Sequence, residues 1–138
     1  MLLRIMLLAA IIALAGGCET VQKNVIANQF EQSSKSYNKM IRWNELDKAE
    51  AVFPPPDRRE EFKSKVKAAN GVKVTDFRIK SLECSPETGE ATVVLDIDYY
   101  REPSVTVKTV EDVQKWKYEL EGVGVRRWRL MTMPPDFR

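Results

Sequence analysis

At Asn70-Gly71 the spacing of apolar residues changes. Before this point they recur every three to four residues, the period of one face of a helix; after it they recur every second residue, the period of one face of a strand. A chain divided in this way is not a helical bundle or an all-β sandwich. It is an α+β arrangement, with N-terminal helices gathered on one face of a curved antiparallel sheet of about four strands.

On the helical side, Ile26, Phe30, Tyr37, Met40 and Ile41 form one stripe, with Ser33 and Ser34 on it and Glu31, Lys35 and Lys39 opposite. This predicts an amphipathic helix over roughly 22–43. Asn44 reads as the N-cap of a short helix over 45–53, with Leu46, Ala49, Val52 and Phe53 inward. Pro54-Pro55-Pro56 stops that helix, because none of the three donates a backbone hydrogen bond. Asp57 and Glu60 read as N-cap and third helical position of a further helix that buries Phe62, Val66 and Ala69.

The first strand is predicted over Val72–Cys84. Its parity slips between Val74 and Phe77, which places a bulge near Thr75-Asp76. Ser85–Gly89 turns the chain into Ala91–Tyr100, the clearest alternation in the sequence. There Ala91, Val93, Leu95, Ile97 and Tyr99 share one face, and Asp96, Asp98 and Tyr100 lie on the other. A third strand over Val105–Glu121, with a break near Glu111-Asp112, carries Val110, Trp116, Tyr118 and Leu120 on one side. Gly122-Val123-Gly124 turns into a last strand, Val125–Met133, with Trp128 and Leu130 opposite Arg127 and Arg129. Pro134-Pro135 ends it, and 134–138 reads as a tail.

The first 17 residues are of a different kind. Fourteen are apolar, Arg4 is their one charge, and Ile5–Leu14 is unbroken. Ten residues make about 15 Å of helix, half a bilayer core, which is too short to span and suited to the apolar region of an export signal. Leu14-Ala15-Gly16-Gly17-Cys18 follows. These small residues before a cysteine resemble the lipobox of bacterial lipoprotein signal peptides. The resemblance implies cleavage between Gly17 and Cys18, with diacylglycerol on the Cys18 thiol and an acyl chain such as palmitate on its new amino group. Two or more chains anchor a protein stably where one does not. Glu19, rather than Asp, follows the cysteine, which by the same resemblance favours the outer membrane over the inner. The domain plan is then a leader over 1–17, a lipidated N-terminus and short tether over 18–24, one folded domain over 25–133, and the tail.

Composition excludes several activities for the remainder. It holds 21 Lys and Arg against 20 Asp and Glu, with no basic block, which argues against nucleic acid as a partner. The chain has no histidine, so the commonest metal ligand and general base is missing. Lipidation of Cys18 leaves Cys84 without a disulfide partner, as a half-buried packing residue. No cofactor or metal site is expected; Met131 and Met133 read as strand packing. Arg126, Arg127, Arg129 and Arg138 form a C-terminal basic cluster; near a membrane it would favour anionic head groups, but the preferred reading is a solvated sheet edge paired with Glu119 or Glu121.

The order of elements, with Arg42-Trp43-Asn44-Glu45, Val74-Thr75-Asp76-Phe77-Arg78-Ile79, Glu90-Ala91-Thr92-Val93, Gln114-Lys115-Trp116 and Trp128-Arg129-Leu130, resembles the nuclear-transport-factor-2-like (cystatin-like) cone fold over about 24–132. That class contains ketosteroid-isomerase-like enzymes, which place an acidic base and a Tyr in an apolar pocket, and many non-enzymatic binding or assembly domains, so fold alone does not decide. Asp96 and Asp98 fall on the face opposite the apolar one, and no catalytic residue is assigned. The favoured expectation is a membrane-anchored lipoprotein of the cell envelope, facing the periplasm, that works as a non-enzymatic interaction or assembly module beside an envelope protein partner. The alternative is a small-molecule-binding cone, with Tyr99, Trp116 and Tyr118 lining an apolar pocket.

Overall fold

The computed structural model describes the backbone from Leu2 and the side chains from Gly17 to Arg138; Arg4 and the apolar run Ile5–Leu14 lie outside the described side chains. Helix α1 spans Leu2–Arg42, α2 spans Leu46–Ala49 and α3 spans Arg59–Ala68, preceded by a 3-10 turn over Pro56–Arg58. Strands β1 (Val72–Ser85), β2 (Glu90–Arg101), β3 (Lys108–Glu121) and β4 (Val125–Leu130) follow. They pair antiparallel in the order β1-β2-β3-β4. The sheet is curved and unclosed, with the helices on one face.

The expected polar tether over 18–24 is helical: α1 runs through it without a break, exposed along most of that length. The end of α1 also differs from expectation. Asn44 does not cap the next helix. It has φ +58°, Glu45 N–H donates to Met40 O at 2.8 Å, and Asn44 N–H donates to Ile41 O at 3.1 Å. This is a Schellman stop, with Asn in the left-handed position that it tolerates better than most residues. Its side chain turns outward and accepts from Val74 N–H at 2.9 Å, while Arg42 donates to Val74 O at 3.2 Å. The last turn of α1 therefore grips both backbone groups of one β1 residue.

The second helix is shorter than its periodicity suggested. α2 keeps Leu46 and Ala49 buried, and Phe53 follows in a turn, but Val52 is exposed. Asp57 lies within the 3-10 turn, and α3 has no side-chain cap. Arg58 instead donates to Glu61 and to Met131 O, so its neighbourhood is fixed by tertiary contacts.

β1 contains the expected register shift between Val74 and Asp76, and a second between Ile79 and Ser81. With both, Val74, Phe77, Ile79, Leu82 and Cys84 stand opposite Tyr99, Ile97, Leu95, Val93 and Ala91. Each shift restores a parity that the sequence spacing would otherwise lose, so one apolar face runs the length of the strand. β3 has no break at Glu111-Asp112; the pairing with β2 is continuous from Lys108 to Lys117.

Trp116 is the centre of the core. Its ring meets Phe30, Tyr37 and Phe53 edge-on, at centroid distances of 6.1, 5.8 and 5.7 Å. Phe30 also contacts Trp128 at 5.0 Å. These rings join α1, the turn after α2, and strands β3 and β4. The last residues are not a free tail. Phe137 is buried against Tyr99, 4.9 Å between ring centroids. Tyr99 Oη donates to Arg138 O at 2.6 Å, Arg101 donates to Phe137 O at 2.8 Å, and Lys65 pairs with Asp136 at 2.7 Å.

Candidate functional site

Two of the three aromatics named for the alternative, small-molecule-binding reading are packed in the core. Tyr99 and Trp116 are buried, and neither lines the two larger openings among the described residues. Tyr118 is half-buried; its hydroxyl donates to Gln29 Oε1 at 2.9 Å, and its ring packs on Trp128 at 5.3 Å. The alternation that identified these residues as inward-facing was correct, but large aromatics from α1 and the α2 turn fill the space between them.

An opening lies instead between α1 and β1. The C-terminal end of α1 lies against β1 at Val74, while further back its rings pack on Trp116 of β3 and Trp128 of β4, so the apolar face of β1 beyond Val74 is left partly uncovered. The result is an open groove of about 580 Å³, within the range of ligand-binding clefts. Phe77, Ile79, Leu82 and Cys84 of β1 form one wall, and Phe30, Ser34 and Asn38 of α1 lie opposite. Ile79 is 50% exposed and Leu82 46%, an unusual state for inward-facing residues of a sheet. At one end Lys39 and Arg42 form a cationic rim beside Trp43, and Arg42 lies 4.9 Å from the Trp43 ring centroid. Lys35 also borders the groove but is neutralised by Glu31 at 2.6 Å. Burial pushes the Cys84 thiol above its ordinary value, with a smaller push from Glu87, so it is a poor nucleophile.

Behind the helix wall runs a buried polar chain. Asn38 Nδ2 donates to Ser34 Oγ at 3.4 Å, and Gln114 Nε2 donates to Asn38 Oδ1 and to Asp112 Oδ2, both at 2.8 Å. Burial raises the Asp112 carboxyl from 3.8 to about 6, against the lowering effect of the Gln114 bond. Tyr37, buried nearby, is raised well above its ordinary value by burial and by the Asp112 charge, and its hydroxyl has no partner among the described residues. Asp112 and Gln114 lie inward although their polarity marks them as surface residues. Strict period-two counting from Trp116 places both inward; the expected break at Glu111-Asp112 hid them. Asp112 does not border the groove, so its carboxyl is sealed behind Gln114 and Asn38.

On the far face, Asp98 accepts from Arg78 at 2.6 Å and from Thr109 at 2.6 Å, which hold its carboxyl down at about 2. Lys80 bridges Glu111 at 2.7 Å and Asp96 at 3.7 Å. These aspartates are surface ion-pair partners. In the arginine cluster, Glu121 pairs with Arg127 at 2.9 Å and with Arg129 at 2.7 Å. Arg129 departs from the solvated-edge expectation: it is buried, because its guanidinium also donates to Val52 O at 2.7 Å.

Gly17 and Cys18 are exposed on α1. Among the described residues, no helix is long and apolar enough to cross a membrane, and no group of His, Cys, Asp or Glu has the arrangement of a metal site. No family model, curated protein or solved structure matches this chain.

Proposed function

We propose that this protein is a lipid-anchored component of the bacterial cell envelope, held to the membrane through Cys18, whose folded domain is a non-enzymatic interaction module. The observation that carries this reading is the uncovered apolar face of β1 beside α1. β1 is an edge strand, and among the described residues no strand pairs with its outer side. Beyond Val74, whose N–H and C=O are held by Asn44 and Arg42, an exposed apolar edge is costly unless something covers it.

The occupant that fits is an extended segment of a partner protein, apolar at alternate residues. Added beside β1, it satisfies the edge by main-chain hydrogen bonds and directs every second side chain over Ile79 and Leu82. The cationic rim of Lys39 and Arg42 favours an acidic residue at that end of the segment. The buried carboxyl of Asp112, being sealed from the groove, supplies no acid or base to it. The groove volume also suits a small apolar ligand, which is the second reading.

In-cell photocrosslinking tests the proposal. A benzoylphenylalanine placed at Leu82 is expected to capture a protein through an extended, alternately apolar segment, and Ile79→Asp in the same chain is expected to abolish the product. The same probe at Val113, on the opposite face of the sheet, serves as background. Capture at Leu82 no greater than at Val113 contradicts the reading. An apolar small molecule found by native mass spectrometry of the purified chain, and lost in Ile79→Asp, supports the second reading instead.

A further inference from the structure

The side-chain contacts of α1 fix its direction along the sheet. Asn38 meets Gln114 at 2.8 Å, and Gln29 meets Tyr118 at 2.9 Å. Nine helical residues cover about 13 Å and four strand residues cover about 13 Å, so α1 lies antiparallel to β3 and advances level with it. Continued by the same measures, Cys18 lies about 16 Å beyond Gln29, and β3 ends at Glu121, about 10 Å beyond Tyr118, with the turn 122–124 carrying Val123 past that end. The acylation candidate and the tip of the β3–β4 hairpin therefore lie at the same end of the domain.

That end holds the polar β1–β2 turn, whose Glu87 pairs with Lys23 at 3.6 Å, and beside it a set of exposed apolar side chains. Leu120, Val123 and Val125 of the hairpin are exposed, Val123 completely, and Val21 and Val25 are exposed on α1. Gly122 and Gly124, at φ +63° and +75°, hold the tight turn that presents Val123 outermost. Arg126 is exposed beside it. Around the tip Glu121 pairs with Arg127 and Arg129, and Lys23 is shared by Glu19 at 3.1 Å and Glu87 at 3.6 Å; Glu119 stands opposite Arg127 in the strand register.

We infer that the β3–β4 hairpin tip docks on the bilayer that holds the lipid, with Val123 entering the interface and Arg126 at the level of the phosphates. This rests on the anchoring of Cys18 proposed above. Each valine or leucine withdrawn from water favours the docked state, and a basic residue at the surface adds to it where the leaflet is anionic. Two points of attachment then fix the orientation of the domain and direct the α1/β1 groove sideways, parallel to the membrane.

The test uses full-length lipidated chain with Cys84→Ser, reconstituted in phosphatidylethanolamine and phosphatidylglycerol vesicles. A nitrobenzoxadiazole fluorophore is attached at Val123→Cys or, at the opposite end of the sheet, at Val105→Cys; both native positions are exposed, so neither change should disturb folding. The expected result is a blue shift and quenching by bromine-labelled lipid at position 123, with neither at 105. Flotation with the vesicles reports the anchor separately. Protein that floats but shows the same aqueous emission at both positions overturns the docking and leaves the anchor intact. Protein that does not float removes the anchor, and the docking with it.

Discussion

The side-chain amide of Gln114 donates to Oδ1 of Asn38 at 2.8 Å, a buried polar bridge from the third strand to the long helix. Neither residue touches solvent appreciably. A wrong register of α1 on the sheet leaves both amides and the neighbouring Asp112 unsatisfied, so the bridge selects one register among several that would bury the same rings.

Gln114→Leu should therefore destabilise the fold by about 1–3 kcal/mol, because Asn38 and Asp112 lose a donor inside the core. Combining it with Asn38→Leu should cost less than the two single changes added together. Urea denaturation of the four proteins measures the coupling. Strict additivity would show that the bridge contributes nothing specific.

Asp112 makes stability depend on pH. Its folded carboxyl lies at about 6, against 3.8 unperturbed. Between these values the native state holds a proton that the unfolded chain has released. Stability thus falls as pH rises through this window, by about 3 kcal/mol for two units, and levels off above it. Asp112→Asn should flatten the slope. Asp98 works in the opposite sense and lower: held at about 2 by Arg78 and Thr109, its contribution is present above its unperturbed value and lost as pH falls below it. Denaturation across the two windows separates these effects.

Asn44 has two roles, the left-handed backbone at the end of α1 and the acceptor for Val74 N–H. Asn44→Ala loses both and should cost about 2 kcal/mol or more. Asn44→Gly keeps the backbone and loses only the acceptor, and should cost less. Thermal melts of the pair rank the two contributions; equal losses would mean that the backbone conformation is not important.

Leu95→Ala and Trp128→Ala should each cost about 2–5 kcal/mol, since both side chains are buried and their removal leaves cavities. Ile79→Ala and Leu82→Ala should each cost far less, because the groove leaves these residues half in water. If they proved as costly as Leu95→Ala, the groove would be closed in solution.

Much of this architecture was legible because burial follows simple periods. The inward faces of α1 and β2, the bulge near Thr75 and the outward turn of Asp96 and Asp98 all follow from spacing. What escaped depended on partners distant in sequence. The second bulge of β1 is invisible locally because Ile79 and Leu82 are also three apart, as on a helix face. Asp112 and Gln114 look like surface residues until Asn38 is placed opposite them. Phe137 looks like part of a tail until Tyr99 receives it. The groove beside β1 was hidden in the sequence for a related reason. Spacing identified which aromatics face inward, but not that Phe30, Tyr37 and Phe53 would fill the space before them while part of that face stays uncovered at β1.

Metabolic labelling with an alkyne fatty acid tests the central claim, that the domain works from a membrane anchor at Cys18. The account predicts a labelled wild type in the membrane fraction and no label on Cys18→Ala. An unlabelled wild type recovered from the soluble periplasm would contradict it.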